Sequence, residues 1–313
     1  MVDIALLGTG GGMPMPGRFL ASLLINYKGR KILMDCGEGT QVSMRMLGWG
    51  FKSIDVICIT HGHGDHTVGL PGLLATIGNS GRLEPITIIG PKGIKDIVNG
   101  LRVIAPYLPY EVNIIEAPEK SIGFIITQEG LKIDELNYEI SLSILELEHS
   151  IPCLGYSFYF SRRPKFDLEK ATLNSVPKVL WNILQRGNSI MYEGEKYQPE
   201  MVLGNERKGI KLSYITDTRP INAIPEFISE SDLFVCEGTY GDDEDLEKAK
   251  TNRHMTFSEA AGLARAGKVK ELMLTHFSPA IKKPEEFLDS TINIFKNTII
   301  GSDRMAKTLI FKK

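Results

Sequence analysis

Cysteine is scarce and scattered in this chain. Its four thiols, Cys36, Cys58, Cys153 and Cys236, form no CxxC pair and lie mostly in apolar, strand-like surroundings. That excludes a disulfide scaffold and a thiolate zinc finger, and it suits the reduced core residues of a cytoplasmic protein. No apolar run is long enough to span a bilayer, and the opening MVDIALLGTGGG has neither a basic leader nor an apolar stretch of signal-peptide length. A net charge of -2 over 313 residues excludes attraction to nucleic acid by the whole surface, so a polyanion would have to meet a local basic patch. The glycine-rich run GTGGGMPMPG is not a dinucleotide fingerprint. Met13 occupies the third glycine position, and Pro14 and Pro16 forbid a helix starting there. Tandem repeats and low-complexity tracts are absent, and 42% hydrophobic with 24% charged residues is the composition of a soluble protein with a substantial core.

What the chain does have is concentrated in residues 54–74, IDVICITHGHGDHTVGLPGLL. Residues 54–59 are a β-branched apolar run that reads as a buried strand, and residues 70–77 have helical spacing. Between them, on what reads as a loop, stand His61, His63, Asp65 and His66, with Gly62 and Gly64 allowing tight turns. Three imidazoles and a carboxylate at the end of a buried strand would each need a polar partner, and a divalent metal supplies all of them at once. Imidazole and carboxylate without thiolate suit zinc in an open site.

The rest of the chain reads as strands and helices that repeatedly end on polar residues. Strands are expected at residues 2–8, 21–26 and 31–34, with a hairpin about Lys28, Gly29 and Arg30, then at 86–89, 112–117, 123–127, 140–148 and 155–160. A helix is expected from Pro91, a favoured first-turn residue. Asp35 follows a strand in DCGEGTQ, where it either caps the turn or hydrogen-bonds a metal-bound histidine. His149 ends one strand, Asp217 another and His276 a third, the last preceded by Thr275 as His61 is by Thr60. Thr256 and Glu259 form a capping-box pattern opening a helix to residue 267, just after His254, and residues 285–297 read as an amphipathic helix. None of the six histidines falls inside a strand, and with Asp65 and Asp217 they suffice for two metals. Two metals generate hydroxide near neutrality and clamp phosphoryl oxygens. Asp65 is then the best-placed proton acceptor, and His254, left over from the coordination count, suits proton donation to a leaving oxygen.

Residues 161–211 differ in character. Arg162, Arg163, Lys165, Lys170, Lys178, Arg186, Lys196, Arg207, Lys208 and Lys211 outnumber the acids, and a helix carries Trp181. This is either a solvated excursion or a phosphate-contacting arm with an aromatic platform.

HxHxDH after a strand resembles the motif of the metallo-β-lactamase superfamily, which implies an α/β fold of the αββα four-layer sandwich type with metals at one edge. The order and spacing of LGTGGG with Arg18, DCGEGTQ, THGHGDHTVGLPGLL, GPKGIK, HSIPCLGYSF, TDTRP, CEGTY, RHMTFSEAA and ELMLTHFS resemble the ribonuclease Z family over nearly the whole chain. The resemblance implies a single domain over residues 1–313, with 161–211 as a protruding basic arm that grips the tRNA body as an exosite. It also implies a homodimer whose arm serves the other subunit's site. It implies two Zn2+ per subunit, one held by His61, His63 and His149 and the other by Asp65, His66 and His276, with Asp217 bridging; manganese and iron accept the same ligands. Asp65 is implied as proton acceptor, and His254 is implicated in catalysis. The chain departs from the family pattern in having Pro177-Lys178 instead of Gly-Pro in the arm, Ala280 and Ile281 where Arg-Tyr is usual, and Thr216 before the bridging Asp. The expectation is a cytoplasmic phosphodiesterase that removes the 3′ trailer from precursor tRNA and leaves a 3′-hydroxyl. The alternative, which the missing Arg and Gly-Pro favour, is a hydrolase of small phosphodiesters or other small esters.

Overall fold

The structure is a computed structural model that describes residues 1–119 and 121–312. Among these, seventeen strands alternate with short helices. They are β1 (Val2–Gly8), β2 (Ser22–Tyr27), β3 (Arg30–Met34), β4 (Ile54–Cys58), β5 (Ile86–Gly90), β6 (Val112–Glu116), β7 (Ile122–Ile126), β8 (Leu131–Ile133), β9 (Ile140–Leu147), β10 (Cys153–Arg162), β11 (Ile190–Tyr192), β12 (Glu195–Tyr197), β13 (Arg207–Ile215), β14 (Leu233–Glu237), β15 (Leu272–Thr275), β16 (Thr298–Ile300) and β17 (Ala306–Leu309). One sheet has the order β17-β1-β2-β3-β4-β5-β6 and a second β16-β15-β14-β13-β10-β9-β7-β8.

The chain forms two compact units, Met1–Phe160 with Ile210–Ile310, and Ser161–Gly209 with residues 311–312. In the larger unit, β3 to β6 run parallel, as do β13 to β16. Of these, β4, β5, β14 and β15 are buried on both faces, which is why their sequences are nearly continuous apolar runs. Ile57, Ile59, Ile86 and Ile88 pack beneath the helices Thr40–Leu47, Leu70–Asn79 and Ile94–Leu101, while Val56 and Cys58, on the opposite face of β4, are buried as well. In the second sheet Phe234, Cys236, Leu272 and Leu274 pack on the helix Phe257–Ala266. The inner faces meet: Tyr27 and Phe160 have ring centroids 5.0 Å apart, and the Tyr156 hydroxyl donates to the Ile59 carbonyl at 2.7 Å. The layers are therefore helix, sheet, sheet, helix, as expected. The β2–β3 hairpin turns at Lys28 and Gly29, whose φ values of 51° and 82° are those of a type I′ turn.

Three local expectations are corrected. The helix expected from Pro91 starts at Ile94, because residues 91–93 form a turn in which the Pro91 carbonyl accepts from the Ile94 amide, and Gly93, at φ 92°, precedes the helix. The metal-motif loop contains a single helical turn, Gly64–Thr67, so Asp65 and His66 lie on a helix. Residues 285–297 are not one helix: a 3₁₀ turn, Pro284–Phe287, leads into the helix Leu288–Ile294, and Phe295 is already extended.

The smaller unit has its own core of Ala171, Val176, Leu180, Leu184 and Val202, flanked by Phe166 and Trp181. Asp167 caps the helix Leu168–Leu173 by accepting from the Lys170 amide. Trp181 donates its indole N–H to the Val176 carbonyl at 2.9 Å and packs against Phe166, so it serves this small core rather than standing out as an open platform. Lys165, Lys170, Lys178, Arg186 and Lys196 are exposed. Among the described residues no helix is long and apolar enough to cross a membrane.

Candidate metal centre

The seven residues that converge here, with Asp35 behind them, all follow strands, and both sheets contribute. Asp35 follows β3 and the His61–His66 run follows β4, whereas His149, Asp217 and His276 follow β9, β13 and β15. Asp35, Asp217 and His276 have φ of 55°, 54° and 58°. For residues with a Cβ this left-handed backbone is sparsely populated, and where it occurs it tends to mark functional positions. The turn it makes carries each side chain off its strand axis.

Seven side chains converge in two groups. His61, His63 and His149 bring one ring nitrogen each within 4.8 Å of one another, and so do the donor atoms of Asp65, His66, Asp217 and His276. In the first group Nδ1 of His63 lies 3.1 Å from Nε2 of His61 and 3.3 Å from Nε2 of His149. In the second, Nε2 of His276 lies 3.2 Å from Nε2 of His66, 3.1 Å from Asp217 Oδ1 and 3.5 Å from Asp65 Oδ2. Asp217 links the groups, with Oδ1 toward His66 and His276 and Oδ2 3.6 Å from Nε2 of His61.

The outward nitrogens fix which lone pairs point inward. Nδ1 of His149 faces the Arg253 carbonyl at 3.2 Å and Nδ1 of His66 faces Asp35 Oδ2 at 2.9 Å. Both partners only accept, so Nδ1 carries the hydrogen and Nε2 presents its lone pair. Nδ1 of His276 rests against the Thr239 hydroxyl at 3.1 Å. Of the two roles open to Asp35, the structure shows the hydrogen bond to His66. The carboxylate also accepts from the Thr60 amide at 2.7 Å and the Tyr214 hydroxyl at 3.3 Å. Buried lone pairs facing one another without hydrogens between them are unfavourable, and a borderline divalent cation is the partner such a donor set fits.

Electrostatics support this. Burial lowers His61 well below the usual imidazole range, as does the neighbouring His66, so His61 is in its neutral, ligating form. Burial also works against charge on His66, but Asp217 and Asp35 raise it well above that range, so these carboxylates favour positive charge at this place. Burial opposes the Asp65 charge too, yet His276 and His66 hold its carboxyl far below the usual value.

His254 is brought to the same place. Its ring is 5.6 Å from that of His276 and 5.3 Å from that of His149. Its Nδ1 faces Glu237 Oε2 at 3.1 Å, and although burial opposes protonation, that carboxylate raises His254 to about 9. Glu237, fully buried at the end of β14, was assigned no role from the sequence. It also accepts from the Thr218 and Met255 amides. The available signal was CEGTY itself, an acid closing an apolar strand. The glycine-rich run completes the wall. The Gly12 amide donates to Asp65 Oδ2 at 2.6 Å, and a Cβ on Gly11 would lie 2.4 Å from His276 Cε1, so no larger residue fits there. His63, Asp65, His149, Asp217, His254 and His276 line a cleft of about 310 Å³. A larger cavity of about 620 Å³, between Pro91, Ile144 and Leu154, has no comparable convergence of polar groups.

A family model described as anti-Pycsar protein Apyc1 matches residues 2–102. Over its whole length the chain is 62% identical to Ribonuclease Z of Clostridium beijerinckii, with 100% of each covered. It is 56% identical to Ribonuclease Z of Clostridioides difficile, with 99% of each covered. Among solved structures, the short form of human tRNase Z superposes with TM-score 0.66 at 25% identity over 98% of each chain. The metallo-beta-lactamase fold protein YhfI of Bacillus subtilis superposes with TM-score 0.67 at 15% identity, over 98% of this chain and 100% of the other, a likeness of fold alone.

Proposed function

Because the chain belongs to the ribonuclease Z family and has the metallo-β-lactamase fold, we propose that it is a metal-dependent endoribonuclease that removes the 3′ trailer from precursor tRNA. The observation that carries the site-level reading is Asp217, with one carboxylate oxygen toward each imidazole group. In this reading His61, His63 and His149 would hold one zinc and Asp65, His66 and His276 another, with Asp217 available to both; manganese or iron would fit the same donors. Bound metal supplies charge that lowers the pKa of water and stabilises the phosphoryl oxygens.

The chain's own groups do the rest. Oδ2 of Asp65 is committed to the Gly12 amide and the flanking imidazoles, which leaves Oδ1 to take the proton of the attacking water. Attack at phosphorus breaks the bond to the 3′ oxygen of the tRNA, and His254, oriented by Glu237, returns a proton to that oxygen. The products are a 3′-hydroxyl on the tRNA and a 5′-phosphate on the trailer.

Residues 161–211 are the tRNA-gripping arm in this proposal, supported by the exposed Lys165, Lys170, Lys178, Arg186 and Lys196. A cytoplasmic homodimer is part of the same reading and rests on family resemblance; sedimentation of the purified protein tests the dimer. Mapping the cleavage site on a defined precursor tRNA tests the function. A cut immediately 3′ of the mature end, leaving a 3′-hydroxyl, is expected. Turnover of a small chromogenic phosphodiester with no tRNA cleavage would sink the reading in favour of a small-ester hydrolase.

A further inference from the structure

The loop from Thr9 to Phe19 reaches the catalytic groups through Gly11 and Gly12 and is closed at its base by a residue far away in sequence. Asp303, just before β17, accepts from the Thr9 amide at 3.0 Å and the Thr9 hydroxyl at 2.8 Å through Oδ1, and from the Phe19 amide at 2.7 Å through Oδ2. One carboxylate therefore holds both feet of the loop. Around it, Gly10 donates to the Phe19 carbonyl at 2.9 Å and Arg304 donates to the Leu6 carbonyl at 2.6 Å, so the feet are also fastened to the first sheet. Two residues beyond the first foot, Gly11 donates to the Phe277 carbonyl and Gly12 to Asp65 Oδ2. Gly12 sits at φ 77°, in the left-handed region that glycine enters without steric cost.

We propose that Asp303 is a positioning residue that clasps the 9–19 loop so that the Gly12 amide holds Asp65 in the rotamer that takes up the proton. The proposal rests on the reading of Asp65 as proton acceptor. A charge-assisted bond from a main-chain amide is directional, and it fixes one carboxylate oxygen while leaving the other free. Losing the clasp loosens the loop feet first and the Gly12 contact as a consequence. All three groups facing Asp303 are donors, so a carboxylate suits them and an amide does not: in Asp303→Asn the NH2 would meet an N–H of Thr9 or Phe19.

The test uses Asp303→Asn, together with Thr9→Val, which keeps the main-chain bond to Asp303, and Thr9→Ser, which keeps both. Zinc-loaded Asp303→Asn is expected to lose about 10–100-fold in kcat. The loss should be the same on precursor tRNA and on a small chromogenic phosphodiester, with KM for tRNA and zinc content unchanged. Hydrogen exchange at the Gly12 amide, measured in zinc-free protein, should quicken in Asp303→Asn and to a lesser degree in Thr9→Val, and Thr9→Ser should restore it. An unchanged kcat, a change confined to KM, zinc loss in proportion to activity, or unaltered exchange at Gly12 would each overturn the clasp. Quicker exchange at Gly12 in a protein that, as wild type, does not cut tRNA would leave the clasp standing and remove the nuclease assignment instead.

Discussion

Removing the carboxylate of Asp55 should destabilise the larger unit severely while sparing the chemistry. Asp55 is 2% exposed on β4 and faces two guanidinium groups. Arg82, itself 1% exposed, donates to Asp55 Oδ1 at 3.0 Å and also to the carbonyls of Lys52, Glu84 and Pro85. Arg30 donates to both oxygens of Asp55, and the Leu131 amide donates to Oδ2 at 3.0 Å. Asp55→Ala would leave the buried Arg82 cation without its counter-charge, a loss of about 3–5 kcal/mol. Arg30→Ala leaves Asp55 still paired with Arg82 and removes a partner near the surface, so it should cost roughly 1–2 kcal/mol. Urea unfolding followed by circular dichroism measures both. Asp55 and His61 are roughly 20 Å apart along an extended chain, so zinc content and tRNA turnover per folded molecule should be unchanged. If Asp55→Ala cost less than about 1 kcal/mol, or no more than Arg30→Ala, the reasoning from an uncompensated buried charge would be wrong.

The site makes further predictions. Asp217→Ala should deplete bound zinc in metal analysis and lower tRNA cleavage by more than the about 10–100-fold typical of a residue one step from the metal; retention of two zinc ions would contradict the bridge. Asp35→Ala, which frees the His66 ring, should weaken zinc binding or activity by about 10–100-fold in a chelator competition, and unaltered affinity would deny it an orienting role. Replacing Lys165, Lys178 and Lys196 by Ala should raise KM for precursor tRNA and flatten its dependence on log salt by roughly one unit per lysine that contacts a phosphate, with small-diester turnover untouched. An unchanged salt slope would take the tRNA-gripping role away from these lysines.

The strand before His61 was legible because a β-branched run bounded by polar residues has few other uses, and His149, Asp217 and His276 stood out because each closes such a run. Chemistry separated them from ordinary polar residues: imidazole and carboxylate at strand ends have no reason to cluster unless something binds there. Glu237 escaped because a single acid at a strand end is common, and its meaning appears only when the fold sets it beside His254. The role of Asp35 was left open between capping and holding a histidine, since sequence does not say which imidazole comes within 2.9 Å. The departure at Pro91 has the same origin. Proline suits a first helical turn, but Gly93 two residues on takes a left-handed φ and delays the helix. Trp181 was read with its charged neighbours, although the carbonyl of Val176 claims its indole.

Each imidazole group draws members from both sheets: His61 and His63 with His149, and Asp65 and His66 with Asp217 and His276. A cation seated there acts as a rivet through the sandwich, and what binds the folded form alone also resists unfolding. Loss of occupancy should therefore register as a lower melting temperature before any change in secondary structure, so that thermal stability becomes a gauge of how full the site is.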